Sequence, residues 1–254
     1  MSIPLPDGVS PADLTALIQD KYDGSTENRH LLSRDIARLA TGEPLAYVVG
    51  WMPFLGLRIY LDSRPLIPRP ETEWWTEQLI AATKNGNELR FLDLCAGSGA
   101  VGCALLKAFP GAHVSFGELV PEHEATIRKN IRENSLDETR TDIRIGDLFV
   151  PFGTEKFDLI AVNPPYIPEK RKLEKSVANF EPREALAAGK DGLTIIARIA
   201  RGAAAHMNPG GALWLECDTE HAEIARGLVE GGGAKNTEIR NDQYGRPRVI
   251  IGYY

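Results

Sequence analysis

Cysteine is scarce in this chain: Cys95, Cys103 and Cys217 are the three among 254 residues. They form no Cys-x-x-Cys pair and no even-numbered framework, which argues against a disulfide scaffold or a structural zinc site and fits a reducing, cytoplasmic compartment. The histidines, His30, His113, His123, His206 and His221, show no metal-ligand spacing, so no metal is expected. Long apolar runs are missing too. None approaches the ~20 residues of a membrane span, and residues 1–8 lack the basic flank and apolar core of a signal peptide. Nor is positive charge in excess. The formal net charge is −6, against the basic surface that bulk nucleic-acid binding usually requires. The expectation is a soluble monomer without membrane, metal or nucleic-acid partner.

With 43% hydrophobic and 25% charged residues, the chain can bury a sizeable core and is not a disordered polymer. Ser10, Pro11 and Asp13 read as a helix start, with Ser at the N-cap, Pro at N1 and an acid at N3. A helix over about 11–21 and a second over 27–39 would form a small N-terminal part, 1–43. Residues 46–62 read as a short hairpin with Gly50 and Pro53 near its turn, inside a connecting segment 44–66. From residue 67 strands and helices alternate. Strands are predicted at 90–94, 113–117, 143–145, 157–162 and 212–217, and helices at 100–108, 121–134, 193–206 and 220–228. A closing hairpin is predicted at 237–240 and 248–252. Such alternation specifies a three-layer α/β domain with a mainly parallel sheet.

Four strand ends carry the chemistry. After the first strand, Asp93-Leu94-Cys95-Ala96-Gly97-Ser98-Gly99 is a glycine turn that opens a helix, where backbone can approach a ligand closely. Many nucleotide folds share such a turn, and Gly97-x-Gly99 lacks the full dinucleotide fingerprint. Glu118 ends the next strand about 20 residues further on, where doubly wound folds place a ribose-binding acid; the alternative is a helix-capping acid. Gly146-Asp147-Leu148-Phe149 follows the third strand. Asp147 can accept from an adenine amino group while Leu148 or Phe149 meets the ring face, or these are a turn residue and core.

Asn163-Pro164-Pro165-Tyr166 follows the apolar strand 157–162. Two prolines stop strand pairing, so the chain juts out at the carboxyl edge of the sheet, where open α/β sheets bind ligands. The Asn163 side-chain carbonyl and the Pro164 backbone carbonyl can both accept hydrogen bonds from one NH2 group. Tyr166 offers a face for a planar amide or base. This arrangement suits methyl transfer from a sulfonium donor, with positioning rather than acid–base help carrying the reaction.

These residues resemble the amino-methyltransferases that bear an Asn-Pro-Pro-Tyr motif, and more narrowly the protein-(glutamine-N5) methyltransferases of peptide chain release factors. The resemblance includes Leu66-Ile67-Pro68-Arg69-Pro70-Glu71-Thr72-Glu73, the glycine turn, Phe180-Glu181-Pro182-Arg183-Glu184-Ala185-Leu186 and Tyr244-Gly245-Arg246-Pro247-Arg248-Val249. It implies a Rossmann-like class I methyltransferase with a mainly parallel seven-stranded sheet over 67–254, and S-adenosyl-L-methionine as donor. It also implies methylation of the glutamine of the Gly-Gly-Gln loop in class-1 release factors, which the N-terminal part helps to grip. Carried over by residue, Cys95, Ala96, Gly97, Ser98, Gly99 and Glu118 hold the methionine and ribose portions, and Leu148 stands at the adenine beside Asp147. Asn163 touches both donor and glutamine, with Pro164, Pro165 and Tyr166 around the amide. Arg69 and Glu71 shape the cleft, unless Arg69 is an ordinary helix-start charge. Cys95-Ala96-Gly97 departs from the family's usual Gly-Thr-Gly. The alternatives are an N6-adenine methyltransferase on RNA or DNA, a ribosomal-protein glutamine methyltransferase, a donor-binding module without catalysis, and a nicotinamide oxidoreductase. Lys170, Arg171, Lys172 and Lys175 read as a solvated face or an attractor of an acidic partner.

Overall fold

The computed structural model describes residues 5–84, 86 and 88–254, so residues 1–4 of the segment tested above for a signal peptide lie outside the described residues. Helix α1 (Pro11–Tyr22) begins as its sequence requires: the Ser10 hydroxyl accepts from the Asp13 N–H at 3.0 Å. Helix α2 (Arg29–Ala40) is capped by Asn28, whose Oδ1 accepts from the Leu31 N–H. Next comes α3 (Leu45–Val49), ended by Gly50 at φ +97°, then the hairpin β1 (Trp51–Phe54) and β2 (Leu57–Tyr60).

Here the structure corrects the hairpin expected over 46–62. Its first part is a helix, Gly50 is a helix cap, Pro53 lies within β1, and the turn is Leu55-Gly56. Helix α3 sits between two cores. Tyr47 packs into the main core, while Val48 and Val49 join Val9, Leu17, Leu32, Ile36 and Leu39 in a small helical one. A short apolar run buried on both sides carries no period that tells helix from strand.

The body runs α4 (Pro70–Ala82), β3 (Arg90–Leu94), α5 (Ala100–Ala108), β4 (His113–Glu118), α6 (His123–Glu133), β5 (Thr141–Ile145), β6 (Phe157–Val162), α7 (Lys175–Phe180), α8 (Thr194–Ala203), β7 (Met207–Glu216), α9 (Ala222–Gly231), β8 (Asn236–Asn241) and β9 (Pro247–Tyr253). The sheet has seven strands in the order β5-β4-β3-β6-β7-β9-β8. β5 through β7 pair in parallel; β9 is antiparallel to both β7 and β8. This is the mainly parallel seven-stranded sheet of the α/β expectation.

Side chains alternate between the faces with a period of two. Phe91, Leu159, Ala161, Trp214, Val249 and Ile251 pack toward α4, α5 and α6, whereas Leu92, Leu94, Ile160, Val162, Leu213, Leu215 and Ile250 pack toward α8 and α9. Both faces are covered, which is why these strands read as apolar runs rather than as alternating ones. The chain moves from β3 outward to β4 and β5, then returns to β6 on the other side of β3. That reversal leaves a crevice beyond the carboxyl ends of β3 and β6.

Candidate active site

The crevice holds two adjoining cavities. The first, about 870 Å³ including its open mouth, is lined by Cys95 and Gly97 after β3, Glu118 at the end of β4, Asp147 and Leu148 after β5, and Asn163 and Pro165 after β6. The second, about 720 Å³, is lined by Arg69, Asn163, Pro164, Tyr166, Lys172 and Val177, among others. Asn163 stands on the wall common to both.

The glycine turn is left-handed at three residues: Cys95 (φ 60°), Gly97 (φ 55°) and Gly99 (φ 76°). Gly99 leaves little room for a side chain, since a Cβ there would meet Ile127 at 3.1 Å and Phe116 at 3.2 Å. Cys95 adopts a conformation that costs a residue with a Cβ about 1–2 kcal/mol. Burial pushes its thiol pKa up, so it stays neutral. Ala96, Ser98 and Gly99 do not line the cavity; Ser98 is buried, and its carbonyl accepts from Asn130 Nδ2.

Glu118 is fastened by backbone. Oε2 accepts from the Gly97 N–H at 2.7 Å, and Oε1 from the Leu119 and Val120 N–H groups at 2.9 Å each. It therefore bridges the first two strand ends while facing the cavity. Asp147 pairs with Arg198 at 2.5 Å, and both line the same wall. Leu148 (φ 49°) lines the cavity, whereas Phe149 is core, stacked on His206 with ring centroids 4.6 Å apart. Of the two residues weighed for the adenine face, the fold brings Leu148 to the cavity. Leu119, His123, Glu184, Ile195 and Arg198 also line it, and carry no local sequence signal of doing so.

Behind the Asn163 loop lies a buried polar chain. Asn163 Nδ2 donates to Thr72 Oγ1 at 3.0 Å, and Thr72 Oγ1 donates to Glu216 Oε2 at 2.7 Å. The same oxygen accepts from Trp75 Nε1 at 2.6 Å, while Oε1 accepts from the Tyr166 hydroxyl at 2.9 Å. Glu216 is 1% exposed at the end of β7. Burial raises its pKa, opposed by these three donors and by Arg248. Burial and then the Glu216 carboxylate raise Tyr166 well above the usual phenol range. Gly192, at φ +76°, lies so near this loop that a Cβ would meet the Tyr166 carbonyl oxygen at 2.4 Å.

The methyltransferase small domain family matches residues 74–224. A release factor glutamine methyltransferase of Bordetella pertussis is 36% identical over 219 residues, 85% of this chain and 80% of that protein. One from Thermodesulfovibrio yellowstonii is 32% identical over 246 residues, 94% of this chain and 86% of its own length. The chain belongs to the release factor glutamine methyltransferase family. Among solved structures, a methyltransferase from Pyrococcus furiosus superposes with a TM-score of 0.57 at 17% identity, covering 90% of this chain and 98% of that one. A 16S rRNA N2 G1207 methyltransferase of T. thermophilus, in complex with AdoMet and guanosine, also gives 0.57, at 18% identity over 80% of this chain and 49% of that one. Both likenesses are of fold.

In this member of the release factor glutamine methyltransferases, the Arg69-Pro70-Glu71-Thr72-Glu73 block joins α4 to four different places. Arg69 pairs with buried Glu181 at 2.6 Å, and Glu71 with Arg246 of the β8–β9 turn at 3.0 Å. Thr72 meets Asn163 and Glu216, and Glu73 accepts from the Leu55 N–H at 2.7 Å. Arg69 lines the second cavity; Glu71 lines neither. Arg171, read as part of a basic run, is paired with Asp218 and Glu220.

Proposed function

We propose that this protein transfers a methyl group from S-adenosylmethionine to the side-chain amide nitrogen of the Gly-Gly-Gln glutamine in a class-1 peptide chain release factor. The reading rests on one observation above all: Asn163 stands on the wall common to two cavities, so a group held by it in one faces a group bound in the other. Family membership names the substrate.

The first cavity suits the donor. Gly97 exposes backbone there, and Glu118 has used three of its roughly four acceptor sites, leaving Oε2 with capacity for a ribose hydroxyl. Leu148, Leu119 and Ile195 supply apolar wall for a base, with Asp147 at its edge. Ala96, Ser98 and Gly99 shape the turn from behind. When bound, S-adenosylmethionine supplies an electrophilic methyl group on a sulfonium.

On the acceptor side, Asn163 Oδ1 and the Pro164 carbonyl take the two amide hydrogens of the glutamine. Electron density is thereby drawn toward the nitrogen, which is held still for attack; the new N–CH3 bond replaces the donor's S–CH3 bond, and one of the two amide protons is released to solvent. Tyr166 is locked to Glu216 and borders the amide together with Pro164, while Pro165, expected beside the amide, lines the donor cavity. Arg69 and Lys172 line the second cavity's wall, while Glu71 acts from outside by holding the closing hairpin. The N-terminal helices, 1–43, grip the protein substrate.

The test is incubation with methyl-labelled S-adenosylmethionine and, in parallel, an unmodified release factor, the same factor with that glutamine changed to alanine, and bulk RNA. Mass spectrometry should find label on the wild-type factor alone; label on RNA alone overturns the substrate. Asn163→Ala should cut kcat by about 10²–10³-fold, the scale for losing a fixed polar contact to the reacting group. Donor affinity by calorimetry should stay within a few-fold, and its complete loss would contradict this division of roles.

A further inference from the structure

A carboxamide has an oxygen side and a nitrogen side of nearly equal shape, so a clamp built on Asn163 works only if something decides which end faces the reactants. The buried chain behind it decides. The Glu216 carboxylate accepts and has no proton to give when ionised. Trp75 Nε1, which can only donate, points at Oε2 at 2.6 Å. With Glu216 ionised and accepting from Trp75, Thr72 Oγ1, 2.7 Å from that same oxygen, spends its single proton on it. What remains on Thr72 toward Asn163, 3.0 Å away, is a lone pair. A lone pair accepts only from an N–H, so Asn163 must present Nδ2 to Thr72 and turn Oδ1 away. Among the described residues Oδ1 accepts no hydrogen bond, and it is not among the buried unpaired atoms. The side chain borders both cavities.

We propose that Thr72, polarised by Glu216, is the positioning residue that fixes the Asn163 carboxamide with its oxygen toward the reacting amide. The inference deepens the glutamine-methylation reading and rests on it for its kinetic consequence. The orientation itself is a property of the folded protein and can be tested without any substrate. Thr72 is 4% exposed, so its effect on a bound amide runs through Asn163. Replacing it with valine keeps the volume and removes the relay. Asn163 is then left without the partner that distinguishes its two ends, and the flipped rotamer, which presents N–H groups to the amide hydrogens, becomes accessible.

The experiment compares wild type, Thr72→Val and Thr72→Ser by four readouts: kcat and KM for the release factor, donor Kd, thermal midpoint, and the side-chain NH2 resonances of Asn163 in 15N-asparagine-labelled protein. Those resonances are assigned by their loss in Asn163→Ala. Thr72→Val is expected to lose about 10²-fold in kcat, as for misplacement of a positioning group. KM and donor Kd should stay close to wild type while the Asn163 resonances shift, and the thermal midpoint should fall because buried Glu216 loses one of its three donors. Thr72→Ser, which retains the hydroxyl, should restore both rate and resonances. Unchanged kcat in Thr72→Val would overturn the proposal, as would a rate loss matched by loss of donor binding. If wild-type protein fails to label the release factor, the substrate reading falls and the resonances decide alone. A shift in Thr72→Val reversed in Thr72→Ser sustains the relay, and no shift overturns it.

Discussion

Asp93 illustrates how a single residue can work against stability for the sake of a turn. It is the penultimate residue of β3, and its Oδ2 accepts from the Gly102 N–H at 2.8 Å, which ties the strand end to α5. Burial, only partly offset by that bond, pushes its pKa up from 3.8 to about 8. A raised carboxyl pKa means the folded state holds its proton longer than the unfolded chain does. The contribution is therefore complete below about pH 4 and drains away as pH rises to about 8. Asp93→Asn keeps an acceptor for Gly102 and removes the titration. Urea midpoints should show its stability relative to wild type rising by about 1.4 kcal/mol per pH unit across that window; a flat difference would mean that Asp93 is already ionised in the fold. Asn163 was legible in the sequence, since the two prolines after it end a strand. Thr72 and Glu216 were not, because 144 residues separate them and no local pattern joins them.

At the scale of elements, the loop carrying Asn163 is held from below by a neighbouring loop. The Ile167 N–H donates to the Leu186 carbonyl and the Ala188 N–H to the Ile167 carbonyl, a single parallel bridge between the Asn163 loop and the segment before α8. Gly192 completes the contact, with its left-handed backbone against the Tyr166 carbonyl. Gly192→Ala incurs both a backbone penalty and a clash, so it should destabilise by about 1–3 kcal/mol. Because the loop is pushed rather than removed, kcat should fall while donor Kd by calorimetry holds; equal loss of both would show that the bridge supports the whole crevice. Strands β3, β6 and β9 were readable as apolar runs between turn residues. Helix α3 was not, since its five residues are covered on both sides and a strand in that place would look the same.

Across the whole molecule, two cores lie on the faces of one sheet, and a third, smaller one belongs to the N-terminal helices. Leu17 is fully buried at the centre of that third core. Asp35 beside it is also fully buried, and receives Lys21 at 2.6 Å and the Tyr22 hydroxyl at 2.8 Å. Leu17→Ala should cost about 2–5 kcal/mol, the range for a cavity in a packed core. If these helices grip the protein substrate as proposed, KM for the release factor should rise with donor Kd unchanged. An unaltered KM despite lost helicity would assign them a structural role only.

The order of the seven sheet strands and of helices α5, α6, α8 and α9, and the presence of Glu118, Asp147 and Asn163 at the strand ends, followed from the sequence alone. Backbone period, proline and glycine act over a few residues, and their effects can be read locally. What faces what was decided only by tertiary structure. The return of the chain from β5 to β6 sets Asn163 between two cavities, and the arrival of α4 and β7 behind it supplies Thr72 and Glu216. The polarity of a carboxamide depends on partners distant in sequence, and those partners meet only when the sheet closes around them.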